Sequence, residues 1–140
     1  MKPLIECVRD FVMQFPELKD GCLYVDYLGS TAVEYCVENI PCNPVFKRYT
    51  DGGCMKQLLF LFASREWYSA DVNTCIENLA FYEDFANWIY EQNQTGVLPD
   101  LDGRSPVSLE VLTGGYVFDE DSKTARYQMQ LRLLYEEENL

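Results

Sequence analysis

From Ala125 onward, residues alternate without a break: Ala125, Tyr127, Met129, Leu131, Leu133 and Tyr135 fall on one side, and Arg126, Gln128, Gln130 and Arg132 on the other. A period of two is met only by a half-buried β-strand. A strand of this length cannot stand alone, because its backbone donors and acceptors need a partner strand on each open side. The end of the chain therefore dictates a sheet, with one face committed to a core and the other polar. Upstream, Ser105 onward reads as a strand, Gly114-Gly115 as a turn, Tyr116-Val117-Phe118 as a further strand, and the polar run after Phe118 as a second turn.

The remaining elements follow the same signals. Pro3 is tolerated at a helix start, and Leu4, Val8, Phe11, Val12 and Phe15 recur at helical spacing until Pro16. After the Lys19-Asp20-Gly21 turn, Cys22 to Leu28 reads as a strand broken by Gly29-Ser30. Thr31 to Ile40 reads as its hairpin partner. Val45 to Tyr49 is strand-like up to Thr50-Asp51-Gly52-Gly53. Cys54 to Ser64 holds Leu58-Leu59-Phe60-Leu61-Phe62, apolar on both sides, so it belongs mid-sheet with cover on both faces. Asp71 to about Asn93 is a long helix, with Ser69 or Asp71 as N-cap. Its wheel puts Val72, Cys75, Ile76, Leu79, Tyr82, Ala86 and Tyr90 on one face, with Glu83 among them, and Phe81, Phe85 and Trp88 opposite. A helix with two apolar faces has two things to bury against. Gln94 to Pro106 is a long exposed loop. These elements predict one domain over residues 1–140, of α/β (α+β) class: a mostly antiparallel sheet with an N-terminal helix and one long helix packed on it.

Composition limits the chemistry. With 140 residues, 48% hydrophobic and 24% charged, the chain has the profile of a globular domain. Its net charge of −12 disfavours binding nucleic acid by phosphate neutralisation. There is no histidine, which removes histidine-based nucleophilic catalysis and most zinc sites. The six cysteines form no C-x-x-C pair and fall largely in apolar stretches, so reduced, buried thiols are expected. No run approaches the ~20 apolar residues of a membrane span, and the first fifteen residues lack a signal-peptide pattern, so the chain is expected to be soluble and made in the cytoplasm.

No phosphate-binding loop, dinucleotide fingerprint, EF-hand or nucleophile elbow is present. Asp100 with Asp102, and Asp119 with Glu120 and Asp121, are carboxylate sets that could face a hard cation, but acidic turns of this kind are common without one. We therefore expect no catalytic residues, no metal and no cofactor. Two patterns point to contacts instead. The stripe Arg126, Gln128, Gln130 and Arg132 fits either a solvated sheet face or a surface shared with another subunit. Phe81, Phe85 and Trp88 fit either internal packing or an oligomer contact.

The string from Leu109 to Asp119, LEVLTGGYVFD, running on to Ala125–Leu133, ARYQMQLRL, resembles the C-terminal hairpin of small tail proteins of tailed bacteriophages that infect Gram-positive bacteria. These are often labelled minor capsid or tail-component proteins, and are similar in role to phage tail terminators. The resemblance takes in the apolar strand Leu58 to Phe62 and the helix around Trp88. It implies a tail-terminator-like α/β subunit, not an enzyme, that forms a hexameric ring at the head-proximal end of the virion tail after assembly in the host cytoplasm. Such a ring caps the tail tube, stops its polymerisation and meets the head-completion or stopper proteins, while DNA passes through without specific binding. Lateral contacts are then expected on Phe81, Phe85, Trp88 and the last hairpin, with the 94–106 loop reaching an axial partner. Two other readings stay open: another head-tail connector or stopper component, and a small non-viral ligand-binding α/β module.

Overall fold

The computed structural model describes residues 2–18, 23–26, 28, 34–68, 72–120 and 123–137. The expected turns at Lys19-Asp20-Gly21 and Gly29-Ser30, the caps Ser69 and Asp71, and Asp121 lie outside them. Among the described residues there are two helices and seven strands, α1 (Leu4–Val12), β1 (Leu23–Val25), β2 (Glu34–Ile40), β3 (Val45–Arg48), β4 (Cys54–Trp67), α2 (Val72–Thr95), β5 (Ser105–Val111), β6 (Tyr116–Glu120) and β7 (Thr124–Glu136). The strands join in one sheet, almost wholly antiparallel, so the predicted α+β class holds.

The two longest strands, β4 and β7, pair over their whole length, from Met55↔Glu136 to Trp67↔Thr124. Each is flanked by a broken strand. Beta-2 and then β3 run along β4, separated by the loop around Pro41 and Pro44; β5 and then β6 run along β7, separated by residues 112–115. The register slips at Phe46 in β3, Val107 in β5 and Phe118 in β6. Bulges of this kind twist exposed edges away from unwanted strand pairing.

Both helices pack on one face of the sheet. Tyr35 and Val37, Phe60 and Phe62, and Tyr127, Met129, Leu131 and Leu133 supply the sheet side of the core, as the alternation of β7 requires. From α1 come Cys7, Val8, Phe11 and Val12, with Phe15 just beyond its end. Pro3 starts this helix by offering its carbonyl to the Glu6 and Cys7 amides, while its own missing N–H costs nothing there. Inside the core, the Tyr82 hydroxyl lies 2.6 Å from Ser64 Oγ and donates to the Tyr127 carbonyl at 3.0 Å. Burial raises the Tyr82 pKa well above the usual phenol range.

Three expectations need correction. Beta-1 pairs with β2 in parallel, Leu23↔Tyr35 to Val25↔Val37, so the two do not form a hairpin. Turn residues report that the chain bends, not that it returns beside itself; here the antiparallel neighbour of β2 is β4. Gly114-Gly115 does not reverse the chain either, since β5 and β6 both run antiparallel to β7. Instead Gly115 lies against α2, where a Cβ would overlap Cβ and Cγ of Tyr82. Nor is β4 covered equally on both sides: Phe60 and Phe62 are buried under the helices, while Leu59 and Leu61 are half-buried on the opposite face.

Candidate functional site

The sheet face away from α1 and α2 carries no helix among the described residues. Register places on it Cys36 and Glu38 of β2, Leu59, Leu61, Ala63 and Arg65 of β4, and Arg126, Gln128, Gln130 and Arg132 of β7. The anticipated polar stripe is thus gathered on one surface, and its members are tied to one another. Arg126 donates to Glu38 Oε2 at 2.9 Å and to Gln128 Oε1 at 3.1 Å, and the Gln128 amide donates to the Tyr116 hydroxyl at 2.7 Å. Arg132 grips Glu110 through Nε and Nη2 at 3.0 and 2.8 Å.

Each arginine also lies over a phenylalanine from a bulged edge strand. The Arg126 guanidinium is 5.3 Å from the Phe118 ring centre, and that of Arg132 is 4.9 Å from Phe46. A cation over an aromatic face gains about 0.5–1 kcal/mol when partly exposed. The bulges turn these rings onto the open face, yet Phe118 remains 60% and Phe46 43% exposed. Beneath the polar network Cys36, Ala63 and Gln128 are buried. Desolvation, reinforced by Glu38, pushes the Cys36 thiol up to about 12, so it stays protonated. The surface is a hydrogen-bonded polar network flanked by exposed aromatic rings.

The second group of expected contact residues is placed differently. Phe85 is fully buried and stacks on Phe62 at 4.4 Å between centres. Trp88 meets Phe11 and Phe15 at 5.1 and 5.3 Å, and Phe81 meets Phe15 and Tyr35 at 5.6 and 5.7 Å. These three rings join α2 to α1 and the sheet, and Phe85 has no surface to offer a neighbour. The opposite side of α2 is the exposed one: Val72, Ile76, Leu79 and Tyr90 face solvent.

Lys2 N–H donates to Asp102 at 2.7 Å, the Asp102 amide donates to Asp100 Oδ1 at 3.1 Å, and Arg104 Nη2 donates to the Lys2 carbonyl. Leu101 is buried. The 96–104 segment is thereby fastened to the start of α1. Among the described residues no group of three or more Cys, Asp or Glu side chains is disposed to hold a metal ion. Cys7 and Cys36 are buried as expected, but Cys42 is exposed and Cys54 and Cys75 are half-exposed. No described helix is long and apolar enough to cross a membrane.

No protein-family model matches the chain, and no curated protein matches it. The open face was half visible in advance. Sequence alternation found the β7 stripe, but Glu38, Glu110, Phe46 and Phe118 join it only through register and bulges.

Proposed function

We propose that the chain is a structural virion subunit, a phage tail terminator that assembles as a hexameric ring. The ring caps the tail tube, halts its polymerisation and joins it to the head-completion proteins. The observation that carries this reading is the open sheet face, where Arg126 and Arg132 are locked by ion pairs and flanked by the exposed rings of Phe46 and Phe118. Arginine and aromatic side chains held in fixed positions dominate protein contacts, because little rotamer freedom remains to be lost on association. The net charge of −12 suits a subunit around a channel that DNA must traverse without sticking. The order of elements and the Leu109–Leu133 string supply the family direction.

The test is assembly of purified tail tube protein with and without this chain. Added chain is expected to bind tube ends and shorten the tubes. Failure to bind tubes, together with binding to a portal-side adaptor, would instead assign it to the connector or stopper class. Binding to neither overturns the proposal.

A further inference from the structure

The register of the sheet holds a repeat that residue identity hides. Each long strand is preceded by a helix and by a strand broken in two: α1, β2 and β3 lead to β4, and α2, β5 and β6 lead to β7. The breaks, at 41–44 and 112–115, are of equal length. Across the first hairpin Glu38 faces Leu61, Val45 faces Lys56 and Lys47 faces Met55. Across the second Glu110 faces Arg132, Val117 faces Tyr127 and Asp119 faces Arg126. One constant offset carries the broken strand of the first hairpin onto that of the second, and another carries β4 onto β7. Under them the register slip at Phe46 falls on the slip at Phe118. A bulge is a specific feature of one pairing, so a matching break and a matching slip mark one architecture used twice.

The same correspondence relates the two sides of the seam between β4 and β7. Phe60 pairs with Leu131, its own counterpart; Leu58 pairs with Leu133, the counterpart of Phe62, and Phe62 pairs with Met129, the counterpart of Leu58. A contact in which one position meets another and is met by it in return is a twofold contact between like units. Its axis passes through the Phe60–Leu131 pair. On the helix side the counterparts Val37 and Leu109, Phe60 and Leu131, and Phe62 and Leu133 are all buried, and α1 packs on β2 as α2 packs on β5. On the open side each arginine of β7 ties one unit to the other. Arg126 lies over Phe118 of its own unit and bonds Glu38 of the other; Arg132 bonds Glu110 of its own unit and lies over Phe46 of the other. These four partners are two pairs of counterparts. Strand β1 and the slip at Val107 are not repeated among the described residues.

We propose that residues 4–67 and 72–136 are two copies of one α-β-β unit, and that the seam edge of each long strand is an interaction surface whose partner is a like unit, supplied here by the same chain. The order of the units along the chain is then immaterial to the fold. At the end of β4 the Trp67 carbonyl accepts from Asn78 of α2 at 2.9 Å, beside the helix that opens the second unit. At the end of β7 Glu136 faces Ser105, and the adjacent Arg104 donates to the Lys2 carbonyl, just ahead of the helix that opens the first. The end of each unit thus lies beside the start of the other, and the two connections are interchangeable.

Two measurements test this. Cross-strand nuclear Overhauser contacts in the labelled wild type are expected to show Glu38 opposite Leu61, Glu110 opposite Arg132, and a register slip at both Phe46 and Phe118. A slip at only one of them overturns the proposal. The second measurement is urea unfolding, followed by circular dichroism, of two circular permutants of the full chain, each joined from Glu137 to Lys2 by a short Gly-Ser linker. One is opened between Tyr68 and Val72, so that the second unit precedes the first; the other is opened at Asp51, inside the first hairpin. The permutant that keeps both units whole is expected to unfold in one transition with a midpoint within about 0.5 M of wild type, and the one that splits a unit to lose clearly more. If the permutant with whole units fails to fold, or is no more stable than the split one, the proposal is overturned. Neither measurement involves tail tubes, so failure here leaves the proposed function standing.

Discussion

Gly114 and Gly115 are adjacent and chemically identical, yet alanine should act on them with opposite sign. Neither has the left-handed backbone found among the described glycines at Gly52, Gly96 and Gly103. Alanine at such a position ordinarily stabilises a protein by about 0.4–1 kcal/mol, by narrowing the unfolded ensemble. Nothing lies within 4 Å of a Cβ on Gly114, so Gly114→Ala should show that gain. A Cβ on Gly115 would overlap Cβ and Cγ of Tyr82, and the backbone fixes that Cβ, so no rotamer change relieves the overlap. Helix α2 or the 112–115 segment must shift. Overpacking of this kind costs about 1–3 kcal/mol. Displacing the Tyr82 hydroxyl from Ser64 and the Tyr127 carbonyl removes two buried hydrogen bonds, at about 1 kcal/mol each. Gly115→Ala should therefore lose about 3 kcal/mol net, or on the order of 10 °C in Tm for a chain of this size. Urea and thermal unfolding followed by circular dichroism measure both variants. A Gly115→Ala protein as stable as the wild type would refute the close approach of Gly115 to Tyr82 of α2.

Asn93 donates to the Leu109 carbonyl at 2.6 Å and accepts from its N–H at 3.0 Å, as a neighbouring strand would, so Asn93→Leu should cost about 1–3 kcal/mol and promote aggregation through the uncovered edge, read by urea unfolding and light scattering. Phe85→Ala should cost about 3–5 kcal/mol, while Phe118→Ser should leave unfolding within about 0.5 kcal/mol of wild type; equal effects would contradict the placement of the two rings. In the native protein at pH 8, iodoacetamide should label Cys42 fast and Cys36 hardly at all, by mass spectrometry of the digested chain. The Cys36 thiol holds its proton up to about 12 when folded, against an ordinary value near 9. The stability it contributes is thus complete below pH 9 and lost as pH rises towards 12; substituting Cys36 with Ala should flatten that alkaline decline.

Much of the fold was written in local periodicity. The strict alternation of β7 placed Tyr127, Met129, Leu131 and Leu133 in the core, and the doubly apolar β4 went to mid-sheet. What periodicity could not convey was direction and volume. The glycine pair signalled a special backbone site, but a close approach and a turn use the same residue. On α2 the wheel put seven apolar positions on the Val72–Tyr90 face and three opposite, and set neither as the buried one. Three large rings on the other side filled the space between α1 and the sheet better, so size outweighed number. The candidate site was legible only along one strand, because Glu38 and Glu110 reach the arginines across the sheet from 88 and 22 residues away in sequence.

In the proposed role the chain works by meeting copies of itself. Electron microscopy of the purified protein, alone and mixed with tail tubes, tests it most directly. Closed rings of uniform copy number, free or seated on tube ends, are the expected result. Single chains under both conditions would contradict it.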